Sequence, residues 1–133
     1  SPHFNGIEYI GILRMTTEIQ RIDSNEILSE VTIHNQVVYL AGQVPNNDDA
    51  DLETQTREVF ANIDKLLAQA NSDKSQMLSV QVFVKDLADF PVINGLWEAW
   101  LKGSPKPVRA TIQAELVNPK WRLEIMVIAA QNA

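Results

Sequence analysis

The chain contains no cysteine. That excludes disulfides, thiolate metal sites and a cysteine nucleophile together, and it points to a reducing compartment, so a cytoplasmic location is the expectation. Histidine is almost as scarce: His3 and His34 are the only two in 133 residues. One lies in an irregular N-terminal stretch and the other at a turn, no spacing resembles a zinc site, and no metal or cofactor is expected. A Ser–His–acid triad would have to use His34. There is no G-x-G-x-x-G and no phosphate-binding loop. No run reaches the roughly 18 apolar residues a membrane span needs, so no membrane role is expected. Basic residues are few, 11 Lys and Arg against 17 Asp and Glu, for a formal net charge of -6. They are scattered without a patch, and such a chain repels phosphate backbones, so nucleic acid is not an expected partner.

What is present suits one domain: 45% of the residues are apolar, enough for a single core at this length. Residues 1–14 show no strong periodicity and lack the apolar run after a basic start that marks a secretory signal. Met15, ahead of Thr16 to Ile22, reads as a native start. Residues 1–14 are therefore read as an N-terminal extension, non-native or loosely packed, before a single domain over 15–133. The competing reading is an extra strand through Ile7, Tyr9 and Ile10.

The segment from Val31 to Val44 is rich in β-branched residues and breaks at His34-Asn35-Gln36, which predicts a hairpin with strands near 29–33 and 37–43. Leu52, Val59, Phe60, Ile63, Leu66, Leu67 and Ala70 follow helical spacing, with acids crowded at the start where the helix dipole favours them. Alternation from Met77 to Lys85 predicts a strand. A second helix follows, with Asp89 as N-cap, Pro91 in the first turn, and an apolar face of Val92, Ile93, Leu96, Trp97, Trp100 and Leu101; Gly103 and Pro105 stop it. Val108 to Leu116 and Trp121 to Ala129 alternate again around Asn118-Pro119. The order is ββαβαββ, an α+β fold with a mixed sheet and two helices on one face. Val38, Phe83, Met126 and Ile128 fall out of phase with their strands' main apolar sets. A sheet apolar on both sides with helices enough for one predicts a homo-oligomer.

Two charges stand inside apolar strands, Arg109 and Glu124. Isolated burial of a charge costs several kcal/mol, so each needs a partner. Spacing alone leaves open that they neutralise each other or nearby groups. If Leu116 faced Trp121 across a final hairpin, Arg109 would face Ile128 and Glu124 would face Gln113. The two charges would then share a face four residues apart, on the order of 13 Å. That gap suits a small ligand or groups from a neighbouring subunit; a one-residue slip would separate the faces.

Five stretches in order, Val38 to Val44, Val82 to Phe90, Asn94 to Trp100, Pro107 to Thr111 and Leu123 to Ala129, resemble the RidA/YjgF (RutC) family over about residues 18–130. Asn94 to Trp100, Pro107 to Ala114 and Asn118-Pro119-Lys120 are most similar to its YoaB-type branch. The resemblance implies a chorismate-mutase-like fold and a homotrimer with ligand clefts between subunits. It implies that Arg109 grips a substrate carboxylate, that Glu124 positions water, and that Asn94, the backbone of Gly42, Ala41 and Thr111 line the pocket. Three positions depart from the family pattern: Leu28-Ser29-Glu30 where a cleft tyrosine stands, Ala41 for a serine and Thr111 for a cysteine. They bear on substrate identity and turnover more than on carboxylate binding.

The implied reaction is hydrolysis of small imines or enamines of the 2-aminoacrylate type to 2-oxo acids and ammonia, with a small carboxylate-bearing metabolite as partner. Water adds to C=N and ammonia leaves, so neither metal nor covalent nucleophile is required. The guanidinium fork orients the carboxylate, and Glu124 aligns the water. The alternatives are a non-catalytic 2-oxo acid binding or regulatory protein, and an endoribonuclease or translation inhibitor, which the acidic charge and histidine scarcity disfavour.

Overall fold

Two periodicities, 2 for strands and 3.6 for helices, organise the chain. A computed structural model describes residues 18–133. It runs β1 (Gln20–Ser24), β2 (Ser29–His34), β3 (Val37–Leu40), α1 (Leu52–Gln69), β4 (Met77–Val84), α2 (Phe90–Trp100), β5 (Val108–Gln113) and β6 (Leu123–Ala130). The expectation for residues 1–14 lies outside the described residues. The observed order has one strand more than expected, the exposed and polar β1, whose single half-buried residue, Ile22, leaves no apolar alternation to read.

The six strands form one sheet in the order β1-β2-β3-β6-β4-β5. All pairs are antiparallel except β4–β5. Asn35 and Gln36 turn the β2–β3 hairpin with φ of 52° and 66°, the left-handed pair a two-residue type I′ loop requires. Asp51 caps α1 by accepting from the Thr54 N–H at 2.8 Å. Val59, Ile63 and Leu67 of α1, Ile93 and Trp97 of α2, and Val80, Val82 and Val84 of β4 share one core with β6.

Asp89 stands at the N-cap position of α2, but its side chain makes no capping bond. Instead its carboxylate accepts from Arg122 Nε at 2.8 Å and Nη2 at 2.7 Å. Two parallel charge-assisted bonds outweigh one cap bond. The pair ties the start of α2 to the start of β6, and it holds the Arg122 proton more firmly than usual. Asp89 is only 7% exposed. Asp89→Ala is expected to lower stability by about 2 kcal/mol in urea unfolding, because it strips two bonds from a charged group.

The last two strands do not form a hairpin. β6 enters the middle of the sheet between β3 and β4, and β5 lies parallel to β4 at the edge. Leu123, Ile125, Val127 and Ala129 are fully buried, which a central strand provides and an outer one does not. The 114–122 connection is pinned against α1. Gln55, 1% exposed, donates to Lys120 O and accepts from Arg122 N. Asn118 reaches Asp48 and Lys120 reaches Asp49. Asn118-Pro119 thus turns a crossing loop.

Side chains of paired residues point to the same sheet face. Val80, Val82 and Val84 face the helices. The other face carries Tyr39, Phe83, Ile112, Met126 and Ile128, with Tyr39, Ile112 and Met126 at least 40% exposed. Val38 is not among them: it is fully buried in the core, and Val37 and Tyr39 are the β3 residues on the open side. Among the described residues no helix is long and apolar enough to cross a membrane.

Candidate functional site

The new sheet order relocates the two strand charges. Arg109 pairs with Val80, which pairs with Val127, so Arg109 lies on the helix face. Glu124 pairs with Phe83, which pairs with Ile112, so Glu124 lies on the open face. The shared face and the four-residue separation expected from a terminal hairpin are both wrong, because β4 intervenes between β5 and β6. Arg109 and Glu124 of one chain neither neutralise each other nor enclose one ligand.

Each charge instead anchors a group of its own. Arg109 is the second residue of the edge strand β5, beside α2. Its Nη1 donates to Asn94 Oδ1 at 2.8 Å, and its Cζ lies 5.1 Å from the Trp97 ring centre and 5.6 Å from that of Phe90. Phe90, Asn94 and Trp97 are spaced i, i+4, i+7, so one face of α2 presents all three. The ion pairs among the described residues are Arg57–Glu53, Lys120–Asp49 and Arg122–Asp89; none takes Arg109. Arg109 is exposed, and among the described residues only Asn94 takes one of its donors, which leaves most of them for an incoming acceptor. Thr111, two residues along on the same face, keeps its Oγ1 buried without a hydrogen-bond partner.

On the other face, Glu124 packs over Gly42. A Cβ added at Gly42 would lie 2.2 Å from Glu124 Oε2 and 2.9 Å from its Cδ, so glycine is what lets the carboxylate rest there. Burial raises the Glu124 carboxyl above its ordinary value of 4.5, and no donor among the described residues offsets this. Glu124 also borders a cavity of about 260 Å³ with Phe83, Leu116 and Val117. A second cavity, about 320 Å³, has Gly42, Gln43, Glu30 and Lys65 on its walls. Neither reaches Arg109. Ala41 neighbours Gly42, and its carbonyl accepts from Gln43 Nε2, which also donates to Glu30 at 2.9 Å.

The six site residues read from sequence thus fall into two groups, Arg109 with Asn94 and Thr111, and Glu124 with Gly42 and Ala41. Phe90 and Trp97 were missed as site residues, since Trp97 reads as core and Phe90 carries no polar atom. Their spacing around Asn94 was the available signal. The Asp89–Arg122 pair was missed because Asp89 reads as a cap.

Gly42→Ala separates packing from function. The atoms it would displace are the mobile end of Glu124, so unfolding stability should change by less than about 1 kcal/mol. Any activity that needs Glu124 in place should fall about a hundredfold, the scale set by misplacing a catalytic group by an ångström.

Residues 18–131 match the family model described as Endoribonuclease L-PSP. The RutC family protein YoaB of Escherichia coli is 44% identical over 84% of this chain and 97% of its own. A 3-aminoacrylate deaminase RutC from Acinetobacter baylyi is 31% identical over 71% of this chain and 79% of its own. The crystal structure of a YjgF-family protein from Neisseria meningitidis superposes with a TM-score of 0.85 at 33% identity, covering 89% of this chain and 98% of that one. With this sheet order, these helices and these relatives, the chain belongs to the RidA/YjgF/RutC family, on its YoaB-type branch.

Proposed function

We propose that this protein hydrolyses small imines or enamines that carry a carboxylate, releasing a 2-oxo acid and ammonia, in a cleft completed by a second copy of the chain. The observation that carries the reading is Arg109: a guanidinium fixed by Asn94, Trp97 and Phe90, with no acid paired to it among the described residues. Such a fork binds a carboxylate bidentately and orients the adjacent C=N carbon. Glu124, desolvated and packed on Gly42, is suited to align the attacking water and accept its proton. Water adds to the imine carbon, the nitrogen gains a proton, and the tetrahedral adduct collapses with loss of ammonia. Glu124 and Arg109 lie on opposite faces, so one copy supplies the fork and another the carboxylate. The exposed apolar face beside Glu124 supports association of copies, with a trimer as the expected closed form. The deaminase named among the relatives supports the reaction class.

A second reading is a 2-oxo acid binder without turnover. It is favoured by Ala41, Thr111 and the stretch Leu28-Ser29-Glu30, where the family pattern has serine, cysteine and a cleft tyrosine. An endoribonuclease, the description borne by the family model, is the third reading. One assay separates them. An imino acid such as 2-aminoacrylate is generated in situ and its decay followed with and without protein. Acceleration that vanishes in Arg109→Ala supports the enzyme, and saturable 2-oxo acid binding without acceleration supports the binder. RNA cleavage that survives Arg109→Ala supports the third.

A further inference from the structure

We propose that Trp97 and Phe90 are positioning residues that hold the Arg109 guanidinium with one donor edge free, so that the site selects a flat carboxylate. The inference rests on the carboxylate reading above. Arg109 is the second residue of the edge strand β5 and is exposed, a setting in which a long side chain ordinarily samples many rotamers. Here α2 restrains it on two sides. The rings of Trp97 and Phe90 lie within cation–π range, at 5.1 and 5.6 Å. Asn94 Oδ1 accepts a hydrogen bond from Nη1 at 2.8 Å. Among the described residues the Nε–H and Nη2–H edge is left whole, and that edge matches the two oxygens of a carboxylate.

The brace is itself anchored. Trp97 is 8% exposed and meets Phe60 edge-on at 6.3 Å and Trp100 at 5.7 Å. Phe60 and Trp100 stack at 4.3 Å with planes 4° apart, and Trp100 Nε1 donates to Asp64 of α1. A chain of rings therefore runs from α1 through α2 to the guanidinium. A fork fixed before its ligand arrives loses less freedom on binding, which is the physical basis of preorganisation.

The test compares binding of 2-oxobutanoate with that of its neutral amide, 2-oxobutanamide, by ligand-observed NMR. Wild type, Trp97→Leu, Trp97→Phe and Phe90→Leu are each checked for folding by circular dichroism. Trp97→Leu should weaken 2-oxobutanoate about tenfold and Phe90→Leu about threefold, while Trp97→Phe, which keeps an aromatic face, stays near wild type. The amide should bind equally to all four. Equal weakening of acid and amide would reduce the rings to packing and overturn the proposal. So would unchanged acid binding in a folded Trp97→Leu or, where that variant does not fold, in Phe90→Leu. Arg109→Ala serves as the reference. If it loses the acid while the ring variants keep it, the brace alone is wrong; if it keeps the acid, the carboxylate reading fails and takes the brace with it.

Discussion

Replacing Arg109 with alanine is expected to lower kcat/KM for a 2-imino acid by about a thousandfold, with the fold and oligomeric state unchanged. The estimate follows from two charge-assisted hydrogen bonds at about 2 kcal/mol each, roughly 4 kcal/mol or three powers of ten. No protein carboxylate among the described residues depends on this guanidinium, so its removal leaves no acid stranded. Arg109→Lys should recover little. An ammonium is a point charge without an in-plane pair of donors, and it cannot keep the bond to Asn94 and also present two parallel N–H groups. Rates of imine decay measured against the uncatalysed background check both variants.

The second large effect belongs to Glu124. Glu124→Gln keeps the shape over Gly42 and removes the proposed base, so kcat should drop by about a thousandfold while 2-oxo acid affinity changes little. The pH dependence gives an independent readout. Burial raises the Glu124 carboxyl above its ordinary value. The reactive form is the carboxylate, so the acid limb of kcat should lie above the ordinary glutamate value and vanish in the glutamine variant. Stability follows with the opposite sense. Between the unfolded value and the raised folded one, the folded chain keeps a proton that the unfolded chain has released, so stability falls as pH rises through that window. Glu124→Gln removes this contribution. Its stability relative to wild type should therefore improve on going from acid to neutral pH, a comparison made by urea unfolding at both.

Much of this architecture is written in local pattern. The β-branched run with Asn35-Gln36 marks a hairpin, the 3.6 period marks α1 and α2, and the alternation in Met77 to Val84 marks β4. Strand neighbours are a different matter. Leu123, Ile125, Val127 and Ala129 alternate equally well at an edge or in the centre, and only the burial of both flanks shows that β6 is central. The nearest strand in sequence, β5, suggested a hairpin, whereas the parallel βαβ unit from β4 through α2 places β5 beside β4. That single choice moved Arg109 and Glu124 to opposite faces. The resemblance to the family named six candidate residues by position, but not how they divide, since division depends on which face each strand residue takes. Phe90, Asn94 and Trp97 converge on Arg109 only once α2 lies beside β5, a long-range arrangement that no single segment carries.

The most direct test mixes two dead variants. Arg109→Ala chains keep Glu124, and Glu124→Gln chains keep Arg109. Co-assembled from a common unfolded pool in equal amounts, they should form intact clefts wherever the fork of one copy meets the carboxylate of the next. In a closed ring, chance places both functional halves together at about a quarter of the interfaces. Imine hydrolysis at about a quarter of the wild-type rate is the predicted result. Mixed assemblies that are demonstrably formed and yet no faster than either variant alone would contradict a cleft shared between copies.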